Sequence, residues 1–340
     1  MGEIKRPPRR TGALLVNTGS PSEPTPSAVK RYLAQFLMDP NVRPMPAPAW
    51  WVILHAFILP KRKHASAAKY REIWTAEGSP LLAAAAHLAS RTESRLRSEL
   101  GPVAPLVRAA MSYGEPGVAS VLRDLRAAGV GRLVVIPLYP QSARSTSGAV
   151  MRRIRAALDE MAWAPELVEV PSYADDPLYL DAVAGTVRAA GFDAARDRLA
   201  FSFHSVPRPD VDAGDTYPQQ VEETCRAIAG RLGAQGGGWM HGYQSPFEDN
   251  RAWVDPFTIN LLDDAFSGGA RDLYLVCPGF SLDCLETLYD VQHEFRPLAE
   301  RAAAAAPGGA AAHRFVYVPC LNASDAQVDL ISHIIRSAVR

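Results

Sequence analysis

The stretch CPGFSLDCLETLYDVQHE, residues 277–294, is the part of the sequence around which the rest is organised. It follows the apolar residues 273–276, which predict a buried strand, and a Pro-Gly pair separates that strand from a helical pattern. On the helix, Glu286, Asp290 and Glu294 recur at i, i+4 and i+8, so three carboxylates share one face. Like charges at this spacing cost about 0.2–0.5 kcal/mol per pair, and no lysine interleaves them. The face is either an exposed acidic surface or a ladder that handles a cation or protons.

A second stretch, FSFHSVP at residues 201–207, places His204 where another strand is expected to end. A lone histidine at a strand end is more often structural than catalytic. Here Ser202 and Ser205 flank it, and ligands of open α/β sheets bind beyond the carboxyl ends of the strands. Histidine accepts a proton near neutral pH or binds a divalent metal when it is neutral. We therefore predict a site between two lobes that combines His204 with Glu286.

The bulk composition excludes several classes of protein. Nearly half of the 340 residues are hydrophobic and the formal net charge is zero, which argues against a nucleic-acid binder. The start, MGEIKRPPRRTG, has no apolar core of a secretory signal, and no run approaches the roughly 18 apolar residues of a membrane span. The four cysteines lack CxxC spacing, which predicts reduced thiols and no iron–sulfur cluster. We expect a cytoplasmic protein.

Short apolar strands alternate with longer helical patterns, which is typical of βαβ units and a parallel sheet. The predicted strands are residues 12–16, 107–112, 133–138, 199–203, 239–243 and 273–276. The predicted helices are residues 25–38, 81–100, 117–128, 218–232, 259–266 and 325–339, with another ending near residue 161. No Gly-x-Gly-x-x-Gly follows the first strand, and there is no Walker-type loop, so a nucleotide-dependent enzyme is poorly supported.

The second half of the chain repeats the order of elements of the first. Residues 125–137 and 265–278 each contain a helix end, a glycine turn, a buried strand and a proline. We predict an α/β protein of two similar Rossmann-like lobes, each a parallel sheet flanked by helices. The expected division is residues 1–175, residues 176–322, and a C-terminal helix at residues 323–340 that packs back on the first lobe.

Two segments allow more than one interpretation. Residues 44–60 contain Trp50 and Trp51 and precede a basic flank, so residues 50–59 are expected to touch a membrane interface or to form the lip of an apolar pocket. An ordinary core helix is the alternative. The polar loop at residues 141–148 precedes a helix, and its Ser, Thr and Gly residues suit either an anion cradle or simple N-capping.

Several motifs, in order along nearly the whole chain, resemble those of ferrochelatase. They are LLVNTGSP at residues 14–21, the WW…ILP segment, EGSPLL from residue 77, YPQ from residue 139, SFHSVP from residue 202, GDTYPQQVEET at residues 214–224, CPGFSLDCLETL at residues 277–288 and PCLN from residue 319. The resemblance implies two lobes with a porphyrin cleft between them. It also implies insertion of Fe²⁺ into a free-base porphyrin without ATP or a redox cofactor, so that iron and porphyrin are substrates and no cofactor is needed.

By position, the resemblance assigns roles to individual residues. His204 and Glu286 match the family's pair that handles the metal and protons, and Asp290 and Glu294 match its acidic ridge. Metal insertion releases two pyrrole protons, so our hypothesis is that His204 takes protons from a bent porphyrin while the Glu286 ladder passes metal in or protons out. The resemblance further implies that the porphyrin-binding wall of the cleft includes Thr18, Tyr113, Ser145 and Trp253.

The sequence also departs from the family pattern. After Gln244 and Ser245 it runs Pro-Phe-Glu-Asp where Arg or Lys and then Gly are usual, with an apparent extra residue before Trp253. Thr18 stands where many coproporphyrin enzymes have Tyr, which favours protoporphyrin IX over coproporphyrin III. Two alternatives remain: a cobalt or nickel chelatase for a sirohydrochlorin-type ring, and a haem- or metal-binding paralogue without turnover. The sequence leaves the oligomeric state open, with a monomer as the simplest expectation.

Overall fold

A computed structural model describes residues 10–266 and 269–339 and contains two four-stranded parallel sheets. The first has the order β2-β1-β3-β4 and the second the order β6-β5-β7-β8, so the second half repeats the first. The predicted α/β class with two similar lobes is confirmed. The strands are β1 (Arg10–Gly19), β2 (Leu106–Tyr113), β3 (Val130–Pro137), β4 (Glu166–Glu169), β5 (Arg198–His204), β6 (Trp239–Gln244), β7 (Asp272–Val276) and β8 (Arg314–Val318).

Helices pack on both sheets, and those predicted to end at residues 38, 100, 128, 161, 232 and 339 finish within one residue of the expected position. They are α1 (Pro26–Leu37), α2 (Ala47–Ile53), α3 (Leu59–Ile73), α4 (Pro80–Leu100), α5 (Val118–Ala127), α6 (Ala149–Glu160), α7 (Pro177–Ala189), α8 (Arg208–Asp212), α9 (Tyr217–Leu232), α10 (Thr258–Leu261), α11 (Arg296–Ala305) and α12 (Asp325–Ala338). The helix predicted for residues 259–266 is wrong in extent, because α10 ends after four residues and a 3₁₀ turn follows. The turn expected after it includes residues 267–268, which lie outside the described residues, as does the basic start at residues 1–9.

The sequence patterns missed β4 and β8, which are the strands at one edge of each sheet. Each pairs with a single neighbour, and most residues of both are partly exposed. Strand β4 has only two apolar residues between two glutamates, so its hydrophobic signal is weak, whereas β8 contains the apolar run Phe315–Val318, which sequence analysis overlooked.

Among the described residues, three π-helical segments interrupt the helical pattern, at Leu54–Ile58, Arg144–Gly148 and Glu286–Phe295. The helix predicted for residues 286–294 is present, with π-type hydrogen bonds. The first and last segments run into helices with a proline at the second position, Pro60 and Pro297. A proline cannot donate to the carbonyl one turn earlier, which favours a local change of hydrogen-bond register.

The lobes share a continuous core, because the largest apolar cluster contains Leu15 of β1 and Phe201 of β5. Helix α12 lies against α4 of the first lobe, and Arg95 of α4 pairs with Asp329 at 2.8 Å. The exact division at residues 175 and 322 stays a prediction.

Candidate active site in the interlobe cleft

A large cavity opens between the carboxyl ends of the strands of the two sheets. Its empty volume is about 1340 Å³, which includes space open to solvent. Its wall is rich in aromatic rings: Tyr32, Phe36, Tyr70, Tyr113, Tyr139, Tyr217, Phe247, Trp253 and Phe280. The size and the aromatic wall suit a large, flat, mostly apolar ligand.

His204 is the last residue of β5 and lines this cavity. Its Nδ1 lies 2.7 Å from the backbone oxygen of Ser205. Because a carbonyl oxygen only accepts hydrogen bonds, Nδ1 carries the proton and Nε2 keeps its lone pair. No described residue forms a hydrogen bond with Nε2, and the Phe247 ring packs edge-on against the imidazole at 5.9 Å. The histidine is therefore held in the tautomer that accepts a proton or binds a metal.

Glu286 begins the third π-helical segment and lines the same cavity. Its surroundings are hydroxyl and thiol groups that stay protonated. Burial and then the charge of Glu286 raise the pKa of Tyr70 and of Cys284. These neutral groups therefore do not compete with the carboxylate as bases.

The acidic ridge leads from the cavity wall towards the surface, since Asp290 and Glu294 do not line the cavity. Burial, followed by the charge of Glu286, raises the pKa of Asp290 to about 7, although Lys69 opposes the shift. Lys69 lies 3.1 Å from Asp290 and 3.4 Å from Glu294. The side chains of Asp290 and Glu294 are 13% and 47% exposed. Sequence analysis missed Lys69, because this counter-charge comes from α3, more than two hundred residues earlier.

The four residues predicted to bind the ring all lie on the cavity wall: Thr18, Tyr113, Ser145 and Trp253. The Thr18 hydroxyl is hydrogen-bonded to that of Tyr139, which fixes both at the first-lobe side. The ring of Tyr113 is 3% exposed and the Arg153 guanidinium lies 4.3 Å from its centre. The structure thus places these side chains around one space, and their roles stay predictions.

The sequence of the loop at residues 141–148 suits either an anion cradle or an N-cap. Two of its backbone N–H groups already have partners in the second lobe, since Ser142 donates to Gln220 at 3.0 Å and Arg144 donates to Asp215 at 2.7 Å. Ala143, which precedes the π-helical segment, makes no side-chain cap. The loop instead joins the first lobe to α9 and to the residues just before it.

Residues 245–253, which we call the cleft loop, are the segment in which the sequence departs from the family pattern. Phe247 packs against Phe36 of the first lobe at 6.0 Å and against Trp253 at 5.1 Å. Arg251 donates to the Val42 oxygen of the first lobe at 3.1 Å. The cleft loop therefore extends from the second lobe to the first beside His204.

The lip segment, residues 50–59, has one buried and one exposed face. Trp50 is buried and donates to the Leu37 oxygen at 2.6 Å. Trp51, Val52 and Phe57 are 54%, 54% and 64% exposed. Neither sequence interpretation covers the whole segment, because it is a core helix on one side and an apolar surface on the other. Within the part of the chain that the structure describes, no helix is both long and apolar enough to cross a membrane.

The cysteines are Cys225, Cys277 and Cys284, which are buried, and Cys320, which is partly exposed. In residues 10–266 and 269–339, no group of three or more His, Cys, Asp and Glu side chains converges as a metal site. The absence of an iron–sulfur cluster stays a prediction.

Comparisons with known proteins agree with this architecture. A family model described as Ferrochelatase matches residues 10–339. Ferrochelatase of Stenotrophomonas maltophilia is 41% identical over 315 residues, covering 92% of this chain and 93% of the relative. Ferrochelatase of Nitrosococcus oceani is 37% identical over 332 residues, covering 97% and 87%.

Among solved structures, SirB from Bacillus subtilis with Fe³⁺ superposes with a TM-score of 0.56 at 10% identity, covering 97% of this chain and 95% of SirB. CbiX, from siroheme biosynthesis in denitrifying bacteria, gives a TM-score of 0.50 at 15% identity and covers 97% and 100%. At such identities these structures support the fold alone. The family model and the relatives establish more, and the chain belongs to the ferrochelatase family.

Proposed function

We propose that this chain inserts Fe²⁺ into a free-base porphyrin to make haem, releasing two protons, and that it prefers protoporphyrin IX to coproporphyrin III. The observation that supports this is the placement of His204 and Glu286 on the wall of one large aromatic cleft. One side chain offers a lone pair and the other a carboxylate, which are the groups that metal entry and proton removal require.

His204 acts as the base. Its Nε2 accepts a pyrrole proton, and the hydrogen bond from Nδ1 to the Ser205 oxygen stabilises the imidazolium that forms. The aromatic walls of both lobes hold the ring, and their binding energy favours a bent macrocycle whose nitrogen lone pairs face the metal.

The carboxylate ladder connects this centre with solvent. Glu286 lines the cavity, Asp290 has a pKa of about 7, and Glu294 is about half-exposed. A carboxyl group with this pKa takes up and releases protons near neutral pH, so Asp290 suits proton exit. The same acids attract the incoming substrate Fe²⁺, so metal entry and proton exit use the same row of carboxylates.

Two features support protoporphyrin IX. Thr18 contributes a small hydroxyl that is already bonded to Tyr139, where a tyrosine would extend into the cleft. Among the described residues that line the cavity, Arg251 is the one permanent cation. A single cation matches a ring with few carboxylate side chains better than one with many.

An anaerobic fluorescence assay of porphyrin disappearance with Fe²⁺ tests the proposal. We expect turnover with protoporphyrin IX and slower turnover with coproporphyrin III. Faster insertion into coproporphyrin III would contradict the preference. Faster insertion of Co²⁺ or Ni²⁺ into sirohydrochlorin would favour the first alternative, and one stoichiometric insertion without further product would favour the paralogue that lacks turnover.

We also propose that the exposed face of the lip segment touches membranes peripherally. Trp51, Val52 and Phe57 form an apolar surface, and basic residues 61–63 follow it on α3. Replacing Trp51 and Phe57 together by Ser is expected to weaken binding to anionic vesicles at least about tenfold in co-sedimentation. Val103→Ser, an exposed apolar residue outside this segment, is the control. Equal binding of both variants and the unaltered protein would exclude the lip as the contact.

A further inference from the structure

The guanidinium of Arg251 in the cleft loop is held in one orientation. Its Nε donates to Oδ2 of Asp249 at 2.8 Å, and Nη2 donates to the same oxygen and to the Val42 oxygen. The Trp253 ring lies 5.1 Å from the guanidinium carbon. Carboxylate, backbone and aromatic ring together restrict the rotation of a side chain that is otherwise among the most flexible.

One edge of this oriented group is unused. No described residue accepts a hydrogen bond from Nη1, although the Arg251 side chain is only 19% exposed and lines the cavity. A planar guanidinium with a free edge matches an incoming carboxylate, and charge-assisted hydrogen bonds of this kind are the strong ones.

The charged residues on the cavity wall indicate which chemical group of a ligand Arg251 would bind. Glu286 is the one acid and Arg251 the one permanent cation among the described residues of the cavity wall. A tetrapyrrole brings peripheral carboxylates into this space, and a buried carboxylate needs a partner. Glu286 would repel such a group, whereas Arg251 would pair with it.

We propose that Arg251 is a specificity-determining residue that binds a peripheral carboxylate of the tetrapyrrole through Nη1. The inference rests on the proposed function, because it requires a porphyrin in the cleft. Phe247 of the same loop contacts His204, so a carboxylate held by Arg251 sets the position of the ring relative to the base. Asp249 acts as a positioning residue, since it holds both the guanidinium and the Trp253 indole, whose Nε1 lies 3.2 Å away.

The test compares a porphyrin with and without free carboxylates. Metal-free binding of protoporphyrin IX and of its dimethyl ester is measured by fluorescence titration in one detergent. Arg251→Gln is expected to weaken binding of the diacid about tenfold or more and to change binding of the ester less than about twofold. Arg251→Lys, which keeps the charge without the planar fork, is expected to lie between.

Arg208→Gln is the matched control. Arg208 is 45% exposed, pairs with Asp255 at 3.2 Å in the same lobe and does not line the cavity, so its loss should leave both affinities unchanged. Equal weakening of diacid and ester in Arg251→Gln would overturn the proposal, because it would reveal a role in packing only. Unchanged diacid binding would overturn it as well. Should Arg251→Gln fail to fold, Arg251→Lys carries the same contrast between diacid and ester. Failure of the unaltered protein to bind or metallate any porphyrin would instead refute the proposed function.

Discussion

The two lobes use the same strand order but different chemistry at the same place. The central strand of the first lobe leads to Thr18, and that of the second leads to His204, in corresponding positions of the repeat. Thr18 bonds a tyrosine of its own lobe, whereas His204 presents an unpaired Nε2 to the cleft. The two lobes thus share a scaffold and differ in the side chains at their strand ends, and we predict ring binding for the first end and proton chemistry for the second.

The same comparison extends to the π-helical segments that follow β3 and β7. Each is held by the opposite lobe, since Arg144 donates to Asp215 and Lys69 pairs with Asp290. The segment after β3, Arg144–Gly148, is short and has no acidic residue, while the segment after β7 begins with Glu286 and carries the acidic ridge. Contacts between the lobes therefore support both segments.

The largest effect is expected when His204 is replaced, because this residue distinguishes the central strand of the second lobe from that of the first. His204→Ala should lower the rate of iron insertion by about 10³-fold, because the proton acceptor is lost, while metal-free porphyrin binding persists. Thr18→Ala, the corresponding change in the first lobe, should cost less than about tenfold. The measurement is anaerobic insertion kinetics with parallel fluorescence titration. Near-normal insertion by His204→Ala would rule out the histidine as the base.

A smaller effect is expected when Glu286 is replaced, because this acidic residue distinguishes the π-helical segment after β7 from the one after β3. Glu286→Gln should lower insertion by about 10²-fold, because the amide neither accepts a proton nor attracts Fe²⁺. Ser145→Ala in the other segment should cost less than about tenfold. Rates at increasing Fe²⁺ separate the two tasks, since rescue by high iron indicates metal delivery and a low kcat at all concentrations indicates proton transfer. Equal loss in both variants would contradict the asymmetry between the lobes.

The smallest effect concerns the pH dependence of stability at Asp290, which faces Glu286, Glu294 and Lys69. Its pKa is about 7 in the folded protein against 3.8 for an ordinary Asp, so between these values the folded state holds a proton that the unfolded chain releases. This contribution to stability therefore declines as pH rises through that interval. The Tm of Asp290→Asn minus that of the unaltered protein should increase by at least about 2 °C from pH 5 to pH 8.

The comparison uses a difference between two pH values because Asp290→Asn also loses the ion pair with Lys69. A Tm difference that stays constant or decreases with pH would show that the shifted carboxyl does not control stability in this range.

The central strands, the repeat and the site pair could be predicted because each has a local signal. Buried parallel strands need continuous apolar runs, and strand ends with His, Thr or Pro mark the cleft edge. The motifs around His204 and Glu286 predicted their place on the cleft wall and, through resemblance to a family, the roles that we propose for them. The edge strand β4 had no such signal, because its four residues include two glutamates, whereas the apolar run Phe315–Val318 of β8 was a signal that sequence analysis overlooked.

The sequence by itself determined the α/β class and the two-lobe repeat, since these follow from short-range patterns. Its family motifs also identified six residues of the cavity wall: Thr18, Tyr113, Ser145, His204, Trp253 and Glu286. Only the tertiary structure placed Lys69 against Asp290 and Arg251 against Asp249 and Val42. It also showed that the acidic helix, Glu286–Phe295, is a π-helix. Charge partners far apart in sequence depend on how the lobes close, and the register of a helix depends on its packing, so neither can be read from local periodicity.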